Sequence, residues 1–134
     1  MSKKINIAII GCGRIAGHHC RAIESNQNFE LISVCDLENN KSDDYGRQFN
    51  VKSYSDYNKM ILENPEIDIV SIVTPSGMHF EHSYDVIKKY KKHIVVEKPT
   101  FMKPSQIREI YELAEKNNVF IFPVFQNRYN TAVQ

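Results

Sequence analysis

The residues whose types and spacing point to chemistry lie in a glycine turn near the start of the chain. The turn reads Gly11-Cys12-Gly13-Arg14-Ile15-Ala16 and follows an apolar run at 5–10. Gly11 permits a backbone turn that residues with a Cβ avoid, and Gly13 lets the main chain come close to a ligand. A helix that begins after the turn would direct its unpaired N–H groups at an anion, so the pattern predicts a pyrophosphate site.

An acidic side chain, Asp36, follows the next apolar run, 29–35, twenty residues past Ala16. Its carboxylate would accept hydrogen bonds from both ribose hydroxyls of an adenosine, and its charge would repel the extra phosphate of NADP. The sequence therefore predicts a dinucleotide site with NAD as the cofactor. The alternative is that the glycines only make a tight turn and that Asp36 only caps a helix. Arg14 and Ile15 are further candidate cofactor contacts, although Arg14 is as readily solvated.

Composition excludes several classes of protein. The 134 residues fit one domain, and a hydrophobic fraction of 42% is enough for an ordinary core. With 17 basic and 16 acidic residues, the chain has no basic excess that would track a nucleic acid. The first apolar run is too short for a signal or membrane segment, so we expect a cytoplasmic protein with no membrane partner. Three cysteines, an odd number, do not predict a disulfide framework.

No metal site is predicted. The cluster His18, His19 and Cys20 is consecutive, and consecutive helical residues point about 100° apart, so they cannot converge on one ion. We interpret His19 as a packed helix residue. His79 and His82 are three residues apart and could share a helix face, but no third ligand is suitably spaced. His82 is interpreted as a surface or helix-packing residue.

The elements that must position these residues alternate between strands and helices. Apolar runs predict strands at 5–10, 29–35, 51–54, 67–73, 93–96 and 119–125, and Pro123 indicates an edge position or a strand end. In the first helix, we expect Ile15, His19, Ala22 and Ile23 to share one face. The alternation predicts an α/β fold: a doubly wound parallel sheet of about six strands, of the Rossmann dinucleotide-binding type.

In such a sheet, ligand-binding groups gather at the carboxyl ends of the strands. The distinctive residues of the chain all fall where a predicted strand stops, so we expect them to share one edge of the sheet. They are residues 11–13, Asp36, 74–77, 97–99 and 126–128.

Together with His19 and Asp36, the motifs Thr74-Pro75-Ser76-Gly77-Met78-His79 and Glu97-Lys98-Pro99 resemble those of the glucose-fructose oxidoreductase and inositol dehydrogenase family (Gfo/Idh/MocA). These motifs are more specific than the glycine turn, and the resemblance spans essentially the whole chain. Within the family, residues 74–77 and 126–130 are similar to enzymes that oxidise the 3-hydroxyl of UDP-N-acetylglucosamine or its uronic acid in the biosynthesis of surface polysaccharides such as lipopolysaccharide.

The resemblance implies a role for Lys98. Beside the nicotinamide, it would exchange a proton with the substrate oxygen while hydride leaves carbon. The alternative is a surface lysine paired with Glu97. The resemblance also implies that residues 74–76 line the nicotinamide side and that His79 anchors this loop or contacts the ligand. The implied cofactor contacts beyond the glycine turn and Asp36 are Thr74, Pro75, Ser76, His79, Glu97, Lys98 and Asn127, and the implied substrate contacts are Lys98, Arg128 and Tyr129.

The resemblance further implies a second domain that binds substrate. On this basis, residues 1–126 form the NAD-binding domain, and 127–134 begin the connection to a C-terminal substrate domain. We expect the complete protein to be a homo-oligomer acting on a small sugar or sugar nucleotide, and the 134-residue chain to bind NAD(H) without turnover. Three alternatives stay open: a non-catalytic NAD(H)-binding or sensing module, another polyol or sugar dehydrogenase of the family, and a scaffold that binds nothing.

Overall fold

The computed structural model describes residues 3–97, 101 and 103–124. These residues form one sheet of six parallel strands in the order β3-β2-β1-β4-β5-β6, which confirms the predicted doubly wound fold. The strands are β1 (Ile5–Ile10), β2 (Phe29–Cys35), β3 (Lys52–Tyr54), β4 (Ile69–Ile72), β5 (His93–Val96) and β6 (Ile121–Pro123).

Helical segments connect successive strands. They are α1 (Ala16–Glu24), α2 (Asn39–Phe49), α3 (Tyr57–Glu63), α4 (His79–Asp85) and α5 (Pro104–Lys116). A 3₁₀ turn, Ser76–Met78, precedes α4, and a π-helical turn, Val86–Tyr90, follows it. The connection between β4 and β5 therefore consists of three consecutive segments of different winding.

The hydrophobic core lies on both faces of the sheet. Along β1, Ile7 and Ile9 belong to a cluster with α1 and α2, whereas Ala8 and Ile10 belong to a second cluster with α3, the turn Val86–Tyr90 and α5. This alternation is the two-residue period of a strand. Because both faces are covered, β1 is apolar except at Asn6, and its end is fixed in the middle of the sheet.

The buried face of α1 differs from the predicted one. Ile15 is 39% exposed and Ala22 is also exposed, so of the four residues expected to share one face only Ile23 is buried. The buried residues are Ala16, Gly17, Cys20 and Ile23. Small side chains lie against the sheet because they let the helix approach it closely, and the larger Ile15 remains outside the first turn.

Three strands are shorter than predicted. β3 covers 52–54 rather than 51–54. β4 covers 69–72 rather than 67–73, and β6 covers 121–123 rather than 119–125. Pro123 is the last residue of β6, where it pairs with Val96, and β6 is the outermost strand. The edge position indicated by Pro123 is thus confirmed, since proline has no N–H for a further strand.

The glycine turn lies between the ends of β2 and β4, the two strands that flank β1. Gly11 has φ +102°, a conformation open mainly to glycine, and its N–H donates to the carbonyl of Cys35 at 2.7 Å. A Cβ at Gly11 would lie 2.7 Å from the carbonyl carbon and oxygen of Val73. Both the backbone angle and the space therefore require glycine at this position.

We expect Gly11→Ala to lower the free energy of unfolding by about 3 kcal/mol, because it adds a strained backbone to a collision with main-chain atoms. Urea unfolding followed by circular dichroism measures the change. Gly13→Ala is the matched control, since a Cβ there meets no atom within 4 Å and should leave stability nearly unaltered. Equal unfolding midpoints for the two variants would contradict the argument.

Candidate functional site: a cleft at the carboxyl ends of the strands

A cleft of about 460 Å³ opens where β1, β2 and β4 end. Its lining includes five of the residues singled out from the sequence: Gly11, Gly13, Asp36, Thr74 and Pro75. The two motifs that lie 60 residues apart in the chain, at the ends of β1 and β4, are therefore neighbours in space. This convergence follows from the sheet order, which places β1 between β2 and β4.

Asp36 joins the glycine turn to the next helix. Its Oδ2 accepts a hydrogen bond from the Cys12 N–H at 2.7 Å, and its Oδ1 accepts one from the Glu38 N–H at 2.9 Å. The helix-cap alternative is not supported, because α2 begins at Asn39 and Glu38 occupies its N-cap position. The carboxylate is half-buried on the cleft wall and keeps lone pairs for further donors.

Gly13 presents an open side to the cleft. A Cβ built at this position meets nothing within 4 Å, so its backbone can be approached closely. On the other side, the Gly13 carbonyl accepts a hydrogen bond from the Tyr45 hydroxyl of α2 at 2.8 Å. A fixed backbone with free space in front of it, next to the start of α1, fits the pyrophosphate of NAD, and Asp36 fits its adenosine ribose.

Two histidines hold the loop that forms the opposite wall. His79 Nε2 donates to the Thr74 carbonyl at 2.7 Å, the loop anchor that the sequence analysis considered. His82 Nδ1 is hydrogen-bonded to the Thr74 hydroxyl at 3.0 Å, and its ring packs edge-on against Tyr57. Burial lowers the pKa of His82, so its ring is neutral near pH 7. Both contacts fix Thr74.

A buried hydrogen-bonded chain runs from α1 to the end of β5. His19 Nε2 lies 2.7 Å from Glu97 Oε1, and His19 Nδ1 lies 3.4 Å from the Ser71 hydroxyl. Glu97 is only 6% exposed. Sequence reasoning missed this contact and treated His19 as a packing residue. The available signal was that His19 and Glu97 both belong to the pattern that carries the family resemblance.

Other predicted site residues lie away from the cleft lining or outside the described residues. Arg14 and Ile15 are exposed at the start of α1, whereas His79 and Glu97 are buried. Ser76 begins the 3₁₀ turn. The predicted roles of Lys98, Asn127, Arg128 and Tyr129 fall outside the described residues. The sequence analysis missed four charged or aromatic cleft residues: Glu38, Lys41, Tyr57 and His82.

The cysteine of the turn is not a nucleophile. Burial raises the pKa of the Cys12 thiol to about 12, with a smaller contribution from the charge of Asp36. Burial likewise raises the pKa of Cys35 to about 12 and that of Cys20 to about 11. All three thiols are free, buried and protonated at neutral pH, so the turn offers backbone groups rather than a reactive sulfur.

Among the residues that the structure describes, no three His, Cys, Asp or Glu side chains are grouped so that they could hold a metal ion. None of the helices described has the length and apolar character needed to cross a bilayer.

Known proteins are similar in sequence to this chain over nearly its whole length. The chain is 28% identical over 129 residues to D-glucoside 3-dehydrogenase of Escherichia coli, covering 96% of this chain and 36% of that protein. It is 27% identical over 135 residues to scyllo-inositol 2-dehydrogenase (NAD(+)) of Bacillus subtilis, covering 98% and 39%. The chain thus spans less than two fifths of the length of these relatives.

Solved structures share the fold. The WlbA dehydrogenase of Chromobacterium violaceum, crystallised with NADH and UDP-GlcNAcA, superimposes with a TM-score of 0.90 and 31% identity over 100% of this chain and 39% of its own. The WlbA dehydrogenase of Bordetella pertussis, in complex with the same two molecules, gives a TM-score of 0.89 and 27% identity over 98% and 40%.

The family model for the NAD-binding Rossmann fold of the oxidoreductase family matches residues 5–125. That range contains the glycine turn, Asp36 and both walls of the cleft. The chain therefore belongs to the Gfo/Idh/MocA oxidoreductase family, whose NAD-binding Rossmann fold it forms, and its cofactor is NAD.

Proposed function

We propose that this chain is the cofactor-binding half of an NAD-dependent dehydrogenase that oxidises a hydroxyl of a sugar or sugar nucleotide. The observation that carries the proposal is the cleft in which open Gly13 and the Asp36 carboxylate stand side by side at the ends of β1 and β2. We take the substrate to be UDP-N-acetylglucosaminuronate and the oxidised group to be its 3-hydroxyl.

The binding residues divide along the cleft. Gly13 and the first turn of α1 hold the pyrophosphate, and Asp36 accepts hydrogen bonds from the adenosine ribose. Thr74 and Pro75, fixed by the two histidines, line the nicotinamide side. When bound, NAD supplies the hydride acceptor.

Proton transfer is assigned to Lys98. It directly follows Glu97, which the contact with His19 fixes at the end of β5. The Lys98 amine accepts the proton of the substrate hydroxyl while the hydride leaves the carbon that bears this hydroxyl. The alcohol thereby becomes a carbonyl. A non-catalytic sensing module has no need for such a lysine, and this distinguishes the dehydrogenase proposal from that alternative.

The choice of substrate is supported by similarity to the two WlbA dehydrogenases crystallised with UDP-GlcNAcA. A second candidate is another sugar or polyol dehydrogenase of the family, favoured by the similarity to enzymes named for D-glucosides and scyllo-inositol. Rates of NADH formation with UDP-N-acetylglucosaminuronate, a glucoside and an inositol, measured on the enzyme with its substrate domain, separate the two candidates.

We expect Gly13→Ala to raise the Kd for NAD by about tenfold or more, because the added methyl group occupies the space through which the pyrophosphate approaches. Isothermal titration calorimetry on the 134-residue chain measures it. An unchanged melting temperature is the control, since no atom of the described residues lies within 4 Å of that methyl group. Wild-type affinity in the variant would refute the placement of the pyrophosphate.

We expect Asp36→Ser to raise the Kd for NAD by about tenfold and to relax the preference for NAD over NADP, because a charged acceptor for the ribose and a repulsive charge are both removed. Parallel titrations with NAD and NADP give the ratio of the two affinities. A ratio equal to that of the wild type would count against the ribose contact.

Replacement of Lys98 tests the chemistry apart from binding. In the enzyme with its substrate domain, Lys98→Ala should lower kcat by about 100-fold or more, in the range typical of a lost general base, and leave the Kd for NAD within about twofold. Stopped-flow measurement of NADH formation gives the rate, and Lys103→Ala, an exposed lysine five residues on, is the matched control. Retained turnover in Lys98→Ala would overturn the assignment.

A further inference from the structure

We propose that the ion pair between Glu38 and Lys41 is a second determinant of coenzyme choice. In this pair, Glu38 binds the ammonium group of Lys41, which would otherwise bind the 2′-phosphate of NADP. The inference rests on the proposed placement of the adenosine ribose at Asp36. It adds Glu38 and Lys41 to that site. It also explains why a lysine lies beside Asp36, the carboxylate that selects against the 2′-phosphate.

The geometry brings three charged side chains to one part of the cleft. Lys41 Nζ lies 2.7 Å from Glu38 Oε2, and both residues line the cleft together with Asp36. The backbone N–H of Glu38 donates to Asp36 Oδ1 at 2.9 Å, so the start of α2 is tied to the carboxylate that receives the ribose. Lys41 is in the first turn of α2, so the helix sets the position of its backbone.

The charges around the ribose position favour NAD. Two carboxylates face one ammonium group, which leaves a negative excess where NADP would place a phosphate. The pKa of Lys41 is raised, first by its hydrogen bond to Glu38 and also by the charge of Asp36, so the lysine is fully charged and senses both acids. An ammonium group at this position is a ready phosphate ligand once the acids are neutralised.

The ion pair between Glu38 and Lys41 contributes little to the stability of the fold. Both side chains are about half exposed, and ion pairs of this kind contribute little to stability. On the same helix, Asp44 and Arg47 form a second exposed pair with the same spacing of three residues, and neither lines the cleft. That pair supplies a control that matches the charge, the helix and the exposure.

The test uses the 134-residue chain in an Asp36→Ser background, with the Kd for NAD and for NADP measured by calorimetry at low ionic strength. Four further changes are compared in that background: Glu38→Gln, Lys41→Ala, both together, and Asp44→Asn. Circular dichroism verifies that the Asp36→Ser background and each further variant keep the fold; the side chains changed within that background are exposed.

We expect Glu38→Gln to lower the Kd for NADP, relative to the Kd for NAD, about threefold to fivefold, the size typical of one exposed charge interaction. Lys41→Ala should raise the Kd for NADP by a similar factor and abolish the gain from Glu38→Gln. Asp44→Asn should alter neither affinity.

The inference is overturned if Lys41→Ala leaves NADP binding unchanged, or if Asp44→Asn improves it as much as Glu38→Gln, since net charge alone would then account for the effect. A failure of the proposed function is distinguishable. In that case the wild-type chain binds no NAD, or Asp36→Ser does not change the ratio of the two affinities.

Discussion

The two hydrogen bonds accepted by the Asp36 carboxylate are the contacts on which the candidate site depends. One comes from the Cys12 N–H in the glycine turn and the other from the Glu38 N–H at the start of α2. A single side chain at the end of β2 thereby fixes the backbone on both sides of it. Because this carboxylate also faces the cleft, the group that would recognise the ribose is the one that shapes the surface around it.

The two walls of the cleft are stabilised by different means. On the Asp36 side, charged and exposed groups predominate, and water screens their interactions. On the Thr74 side, His79 and His82 are buried, and their hydrogen bonds to Thr74 fix the loop. An electrostatic wall suits discrimination between anionic ligands, whereas a wall fixed by buried hydrogen bonds suits the positioning of a nicotinamide ring for hydride transfer.

The sequence predicts those features that depend on local chemistry. The positive φ of Gly11, the strand that delivers Asp36 and the edge position of Pro123 all follow from what one residue permits. The hydrogen bond between His19 and Glu97 joins residues 78 positions apart, so no local pattern contains it. The buried face of α1 was mispredicted because close approach to the sheet favours small side chains over large apolar ones such as Ile15.

Because β1 lies between β2 and β4, the proposed coenzyme site depends on the strands on both sides of it. The space around Gly11 is set by the Val73 backbone at the end of β4, while its N–H is held by Cys35 at the end of β2. The turn has this shape only where β2 and β4 are both docked beside β1. NAD bound at the proposed site would therefore favour the folded sheet over partly folded forms by mass action. Bound coenzyme would then also protect the chain from proteases, which cleave unfolded segments.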